Sequence, residues 1–276
     1  MYTAYGDESA DEKKKYVFAI AGLFGNQSDW TTFREQWRTR TGGKTFHANA
    51  CESDRFPYKE SEHEQNKKLY TDLVHIIADS NLIGHALAIS IEDYNAILAP
   101  HLDENPYYLC FQSVIVRLSR KSAICLPPDR IEFTFDRNHE VEHNAGALYG
   151  RMLHSRLRPD VKALMSDKIS FVSREEIGIQ AADLIAHEGM KWLYNRRGKI
   201  SRIRRLATQV IQRSGRIKFE AYERSWFEKA LRDSKDYHIS KDECGKWLQE
   251  RGLHNTLGNR ILYEFYLERT DENSKK

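Results

Sequence analysis

The longest apolar run in the chain is "YVFAIAGLFG" at residues 16–25, and it is rich in β-branched and aromatic residues. Such a run predicts a central strand that is buried on both faces. A shorter alternating stretch at residues 2–6 predicts a first strand that ends just before Asp7. Only the polar segment "ESADEKKK" separates the two runs, so we expect the two strands to pair antiparallel.

The clearest alternation lies at residues 131–136, "IEFTFD". Because successive side chains of a strand point to opposite faces, Ile131, Phe133 and Phe135 share one apolar face. Asp136 lies on the other face, at the predicted end of the strand. The pattern therefore predicts a second aspartate delivered by a strand end, as Asp7 is.

Helical and extended patterns alternate along the rest of the chain. We predict helices at residues 28–40, 61–79, 107–124 and 140–156, strands at 82–92 and 168–173, and an extended piece at 44–52. Strands interleaved with helices are typical of α/β folds, and the short first connection adds an antiparallel portion. We expect one domain at residues 1–195.

A further helix is predicted from "EEIGIQAADLIAHEGMKWLY" at residues 175–194. One apolar stripe should face the sheet; it consists of Ile177, Ala181, Leu184 and Ile185. Gln180, Asp183 and His187 fall along an adjoining edge. Asp183 stands among alanines near the buried boundary, where an unpaired carboxylate is costly. It either joins a site with Asp7 and Asp136, or forms a salt bridge or caps a neighbouring backbone.

Composition narrows the class of protein. The 276 residues are 40% hydrophobic and 30% charged, which suits a globular domain, and the net charge of +3 does not by itself demand a polyanionic partner. No signal-peptide pattern opens the chain and no apolar run is long enough to cross a bilayer, so we expect a cytoplasmic protein without a membrane partner. The four cysteines form no CxxC pair, which disfavours a zinc knuckle or a disulfide framework.

Four sequence pieces together resemble a known family. They are "YGDESA" at residues 5–10, "TFHA" at 45–48, "FTFD" at 133–136 and "GIQAADLIAH" at 178–187. In this order and spacing they resemble the bacterial and phage-associated family called domain of unknown function 3800. The family usually has Gly after the DES piece, where this chain has Ala10.

The resemblance implies a fold and a set of site residues. The fold would be ribonuclease H-like, a mixed sheet flanked by helices, in which carboxylates from two strands and a C-terminal helix converge on divalent metal. Matched residue by residue, this gives Asp7, Asp136 and Asp183 as catalytic metal ligands, with Glu8, His47 and Gln180 in support. Glu52 is a further candidate carboxylate.

The chemistry of these side chains supports a metal site independently of the resemblance. Three carboxylates brought together repel one another unless a cation neutralises them, and oxygen ligands suit Mg²⁺ or Mn²⁺. Two such ions can activate a water and stabilise a leaving oxygen in phosphodiester cleavage. His47 would act as a proton shuttle or substrate contact, or else it is a hydrogen-bonded structural histidine.

A basic tract follows the predicted helix at residues 191–218 and contains no acidic residue. Its candidates for nucleic-acid binding are Arg196, Arg197, Lys199, Arg202, Arg204 and Arg205. Dense Arg and Lys beside aromatic residues suits contact with an RNA or DNA backbone. A solvated basic face or a protein interface is the alternative. The segment at 196–276, from this tract onward, is expected to be a helical extension that could form a dimer contact or a lid.

The sequence thus predicts a metal-dependent nuclease or another phosphodiester hydrolase. Two alternatives stay open. One is a non-catalytic module that binds nucleic acid or protein on the same fold, for example in a phage-defence system. The other is a hydrolase of a small phosphate ester.

Overall fold

The computed structural model describes residues 1–11, 14–100, 105–125, 129–154, 159–198, 205–236 and 241–252. The strands of these residues are β1 (Tyr2–Ala10), β2 (Val17–Gly25), β3 (Ile83–Ser90), β4 (Ile131–Asp136), β5 (Met165–Val172) and β6 (Ile217–Tyr222). The helices are α1 (Gln27–Thr41), α2 (Ala48–Glu52), α3 (His63–Asp79), α4 (Ile91–Ile97), α5 (Pro106–Cys125), α6 (Glu142–His154), α7 (Pro159–Lys162), α8 (Ile177–Arg197), α9 (Leu206–Arg213), α10 (Arg224–Asp236) and α11 (Lys241–Glu250). A short 3₁₀ turn, Glu60–Glu62, precedes α3.

The strands form one mixed sheet in the order β5-β4-β1-β2-β3-β6. β1, β2 and β3 are an antiparallel meander, whereas β4 runs parallel to β1 and β5 runs parallel to β4. A three-stranded meander with two parallel strands added beside its first strand is the ribonuclease H-like arrangement. The expected mixed sheet flanked by helices is therefore confirmed.

Helices cover both faces of the sheet and define two cores. α8 packs on β1 and β2, and its core includes residues of α1, α2, α3 and α9. The opposite core includes residues of α4, α5, α6, α7 and α10. β2 is buried along its whole length, as its apolar run predicts, because both cores use it. No helix of the described chain is long and apolar enough to cross a membrane.

The structure corrects three local predictions. β1 does not end before Asp7 but continues to Ala10, because its antiparallel pairing with β2 extends to the Ala10 and Phe18 pair. The predicted extended piece at residues 44–52 ends in the short helix α2. Within residues 196–276 we expected a helical extension, yet β6 pairs parallel with β3, so this part of the chain shares the sheet.

Candidate active site

Strand register brings the first two aspartates together. Gly6 of β1 lies beside Phe135 of β4 in a parallel pair, so the next residue of each strand, Asp7 and Asp136, occupies neighbouring positions on the face that α8 covers. Both side chains are buried. Asp183 of α8 is also buried and lines the same cleft, which encloses about 190 Å³. The structure thus brings the three predicted ligands into one cleft.

A close approach of α8 to β1 makes this possible. A Cβ atom at Gly178 would stand 2.2 Å from the ring of Tyr5, so only glycine lets the first turn of α8 lie directly on that ring. Asp183 follows just over one turn later and is held above Asp7.

The three carboxylates repel one another in the cleft. Burial raises the pKa of Asp7 well above its usual range, and the negative charges of Asp183, Glu8 and Asp136 raise it further. Burial also raises the pKa of Asp136, against the opposing effect of Arg174. This mutual repulsion distinguishes the cleft from a structural ion-pair cluster, in which cations hold carboxylate pKa values down.

His47 reaches the cleft from the residue before α2. The first backbone N–H of that helix, from Ala48, donates a 2.7 Å hydrogen bond to Asp183 Oδ2. Nδ1 of His47 is buried and lies 3.1 Å from the same oxygen, but it makes no well-directed hydrogen bond within the described residues. His47 is therefore beside the carboxylates, as predicted, and its Nδ1 is not committed to a structural partner there.

Glu8 also lines the cleft. Asn138 donates to its carboxylate at 2.6 Å, and burial raises the pKa of Glu8 despite that bond. Sequence reasoning missed Asn138 and two cations of the cleft, Lys14 and Arg174. Arg174 approaches Asp136 at 3.4 Å and is more than half exposed. Single polar residues in connecting segments carry no pattern from which their position could have been predicted.

Gln180 is occupied by the backbone and side chains around it. Its amide oxygen accepts from Trp37 Nε1 and from the backbone N–H of Phe46, both at 3.0 Å. Its amide nitrogen donates to the carbonyls of Arg174 and Glu175. All four hydrogen-bonding positions of this buried amide are used. Gln180 therefore joins the segment carrying His47 to the segment carrying Arg174, and it does not offer a ligand atom.

Glu52 lies outside the cleft. It accepts from His187 at 2.7 Å and is paired with Arg205 and Lys191. Burial raises the pKa of Glu52, but the bond to His187 and the two cations outweigh it and hold that pKa below its usual range. Of the two candidates for a fourth carboxylate, the cleft contains Glu8.

Three arginines of the basic tract are engaged in ion pairs. Arg205 binds Glu188, which is fully buried, together with Glu52. Arg197 pairs with Asp93, and Arg196 with Glu223. Lys199, Arg202 and Arg204 lie outside the described residues. Arg205 thus serves a buried structural network, and the assignment of the other tract residues to nucleic acid stays a prediction.

The residues of the cleft fit a divalent cation by their chemistry. Within the described ranges, no group of three or more His, Cys, Asp or Glu side chains is already arranged to hold one ion. The donors are nevertheless buried carboxylate oxygens that repel one another, which is the environment that Mg²⁺ or Mn²⁺ relieves. The cleft also has room for several waters at about 30 Å³ each.

Comparison with known proteins yields structural neighbours only. No protein-family model matches the chain, and neither does any curated protein. Ribonuclease H2 from Pyrococcus horikoshii OT3 is similar with a TM-score of 0.40 and 12% identity, covering 78% of this chain and 99% of the other. Ribonuclease HII from Archaeoglobus fulgidus, solved in complex with PCNA, is similar with a TM-score of 0.38 and 13% identity, covering 79% and 92%. The fold assignment therefore rests on the sheet topology.

Proposed function

We propose that this protein is a metal-dependent nuclease, or a related phosphodiester hydrolase, whose reaction takes place in the cleft of Asp7, Asp136 and Asp183. The observation that carries the proposal is the convergence of these buried carboxylates from β1, β4 and α8, where burial and then the negative charges of its neighbours raise the pKa of Asp7. Folding normally avoids such repulsion, and a functional site is the usual reason to retain it.

Each residue of the cleft has a role in this proposal. Asp7, Asp136 and Asp183, with Glu8 at the rim, would hold Mg²⁺ or Mn²⁺. The ions would supply an activated water and charge stabilisation for the leaving oxygen. Arg174 would bind a non-bridging phosphate oxygen, since a guanidinium suits that contact. His47 would carry a proton at Nδ1, the atom that faces Asp183.

The test is cleavage of labelled single-stranded and double-stranded RNA and DNA in Mn²⁺, Mg²⁺ or EDTA. Wild type should cleave at least one polymer only with metal, and Asp136→Asn should lose at least about 10–100-fold of that rate, the loss that follows when even a hydrogen-bonding partner of a metal ligand is removed. Glu132→Gln is a matched control, because Glu132 is an exposed carboxylate on the same strand and face. Equal activity of wild type and Asp136→Asn would show that the reaction does not take place in this cleft.

A second candidate is a hydrolase of a small phosphate ester. It is favoured by the ion pairs of Arg196, Arg197 and Arg205, which occupy three of the six tract residues that were predicted to contact nucleic acid. A metal-dependent release of phosphate from a nucleotide or an aryl phosphate, without cleavage of any polymer, would favour this candidate.

A further inference from the structure

One side chain near the cleft is exposed to an unusual degree for its type. Phe56 is 94% exposed at the tip of residues 53–59, which we call the 53–59 loop. A large aromatic ring that is surrounded by water buries no apolar area and therefore does not stabilise the fold. It is, however, available to a partner.

The ends of this loop are fixed. The buried side-chain amide of Asn66, on α3, donates to Asp54 Oδ1 at 2.8 Å and to the carbonyl of Lys59 at 3.1 Å. His63 lies 2.7 Å from the other oxygen of Asp54. The loop is therefore closed at its base, and Phe56 is presented outward instead of folding back onto the core.

Cations flank the exposed ring. Arg55 and Lys59 are both exposed, and neither forms an ion pair among the described residues. The carboxylate of Asp54 is taken up by Asn66 and His63. The tip of the loop thus combines an aromatic ring with two available positive charges, a combination that suits stacking on a base and contact with its neighbouring phosphates.

The loop adjoins the cleft through α2. His47 and Asn49, at the start of that helix, line the cleft. Ala50 accepts the backbone N–H of Arg55 at 2.9 Å, and Tyr58 packs its ring on Phe46 with centroids 6.4 Å apart. A strand leaving the carboxylates along α2 would therefore meet the 53–59 loop.

We infer that the 53–59 loop grips an unpaired nucleic-acid strand next to the cleft, with a base stacked on Phe56 and phosphates on Arg55 and Lys59. The inference rests on the proposed function and deepens it by naming the substrate class, a single strand or an unpaired end. A duplex keeps its bases stacked within itself and cannot offer a free base face to Phe56 without melting.

The experiment measures binding by the full-length chain carrying Asp7→Asn, which separates binding from cleavage. The probes are labelled oligouridylate and oligothymidylate of about twelve nucleotides and a blunt duplex of the same length, titrated by fluorescence anisotropy at several salt concentrations. Phe56→Ala should weaken single-strand binding about tenfold, whereas Phe56→Trp should restore it. Ile124→Ala is the control, because Ile124 is an 84% exposed apolar residue on α5, on the other face of the sheet.

The contribution of the two cations of the loop is tested separately. Replacing both Arg55 and Lys59 by Ala should reduce the slope of log Kd against log salt by about 1.4, or about 0.7 for each lost phosphate contact. Unchanged single-strand affinity in Phe56→Ala, or equal affinity for duplex, would overturn the inference. So would the absence of binding to every probe.

Failure of the catalytic proposal gives a different result. If wild type cleaves nothing while Phe56→Ala still loses single-strand affinity, the loop inference stands and the nuclease does not. If wild type cleaves and Phe56→Ala keeps both its affinity and its KM, the nuclease stands and the loop inference falls.

Discussion

The backbone N–H of Ala48 donates a 2.7 Å hydrogen bond to Oδ2 of Asp183, and this bond ties the start of α2 to the second turn of α8. Hydrogen bonds to an ionised acceptor are among the stronger ones in proteins, so the bond fixes the direction of the carboxylate. Oδ1 of Asp183 makes no hydrogen bond within the described residues. One oxygen is therefore used by the fold, and the other is left for the cleft.

Two substitutions of Asp183 separate these roles. Asp183→Asn keeps an acceptor for the Ala48 N–H but removes one of the repelling charges, so it should fold in EDTA and lose stabilisation by Mn²⁺. Asp183→Ala removes the acceptor too and should unfold more easily, by about 1–3 kcal/mol relative to Asp183→Asn. Thermal unfolding with EDTA or Mn²⁺ measures both effects. Equal stabilisation of wild type and Asp183→Asn by Mn²⁺ would contradict the assignment.

Asp7→Asn should stabilise the metal-free protein. The substitution removes one of several carboxylates that repel one another in a buried cleft, and the gain should be on the order of 1 kcal/mol at neutral pH. In Mn²⁺ the order should reverse, and wild type should be the more stable protein. A ligand that binds only the native state adds about 2.7 kcal/mol to the free energy of unfolding when its concentration is 100 times Kd. Chemical unfolding in EDTA and in Mn²⁺ checks the reversal. A metal-free Asp7→Asn less stable than wild type would argue that the cleft carries no repulsion.

Gln180 is expected to position the cleft without taking part in the chemistry. Gln180→Met retains the size of the side chain but leaves the buried Trp37 Nε1 without its acceptor, which should cost about 1–3 kcal/mol of unfolding free energy. It also frees the segments that carry His47 and Arg174, so kcat should fall while stabilisation by Mn²⁺ persists. Loss of the Mn²⁺ response in this variant would instead make Gln180 part of the ion site.

Arg205 is expected to support stability and not nucleic-acid binding. Arg205→Met leaves the fully buried Glu188 without its cation and should cost about 3–5 kcal/mol. Adding Glu188→Gln should recover part of that loss, because the uncompensated charge is removed. Urea unfolding of the single and double variants gives the coupling energy. A stable Arg205→Met protein with a smaller salt dependence of nucleic-acid binding would restore the interpretation that this arginine contacts phosphate.

Acid should loosen the contact between β6, β3 and α5. The His85 ring, whose Nε2 lies 3.1 Å from Glu220 Oε2, followed by the charge of Arg117, lowers the pKa of Glu220 to about 2 although burial opposes this. A carboxyl whose pKa is lowered by folding stabilises the protein above its unfolded pKa of about 4.5, and that contribution is lost as pH falls toward 2. Glu220→Gln should therefore be less stable at pH 7, by on the order of 1 kcal/mol given its partial exposure, and should lose less on acidification.

The measurement is unfolding free energy between pH 7 and pH 2. Glu64→Gln serves as the control, because Glu64 is an exposed carboxylate on α3. Parallel pH profiles for wild type and Glu220→Gln would show that the carboxylate contributes nothing.

Most elements and the identity of the cleft carboxylates could be predicted from the sequence. The apolar run at residues 16–25 and the alternation at 131–136 predicted β2 and β4, because periodicity and burial are local properties of the chain. Asp7, Asp136 and Asp183 were predicted from their places on elements together with the family resemblance. The end of β1 was misplaced, since the extent of a strand depends on its pairing partner.

Tertiary structure decided what each polar side chain contacts. From the sequence, Glu52 is a candidate metal ligand and Arg205 is a candidate phosphate contact. In the folded protein the two side chains form an ion pair with each other. β6 was missed because its position at the edge beside β3 depends on a contact with a strand more than a hundred residues earlier in the chain. Arg174, which follows β5, reaches Asp136 at the end of β4. Such contacts are fixed by the packing of α8 and the order of the strands, which no local pattern encodes.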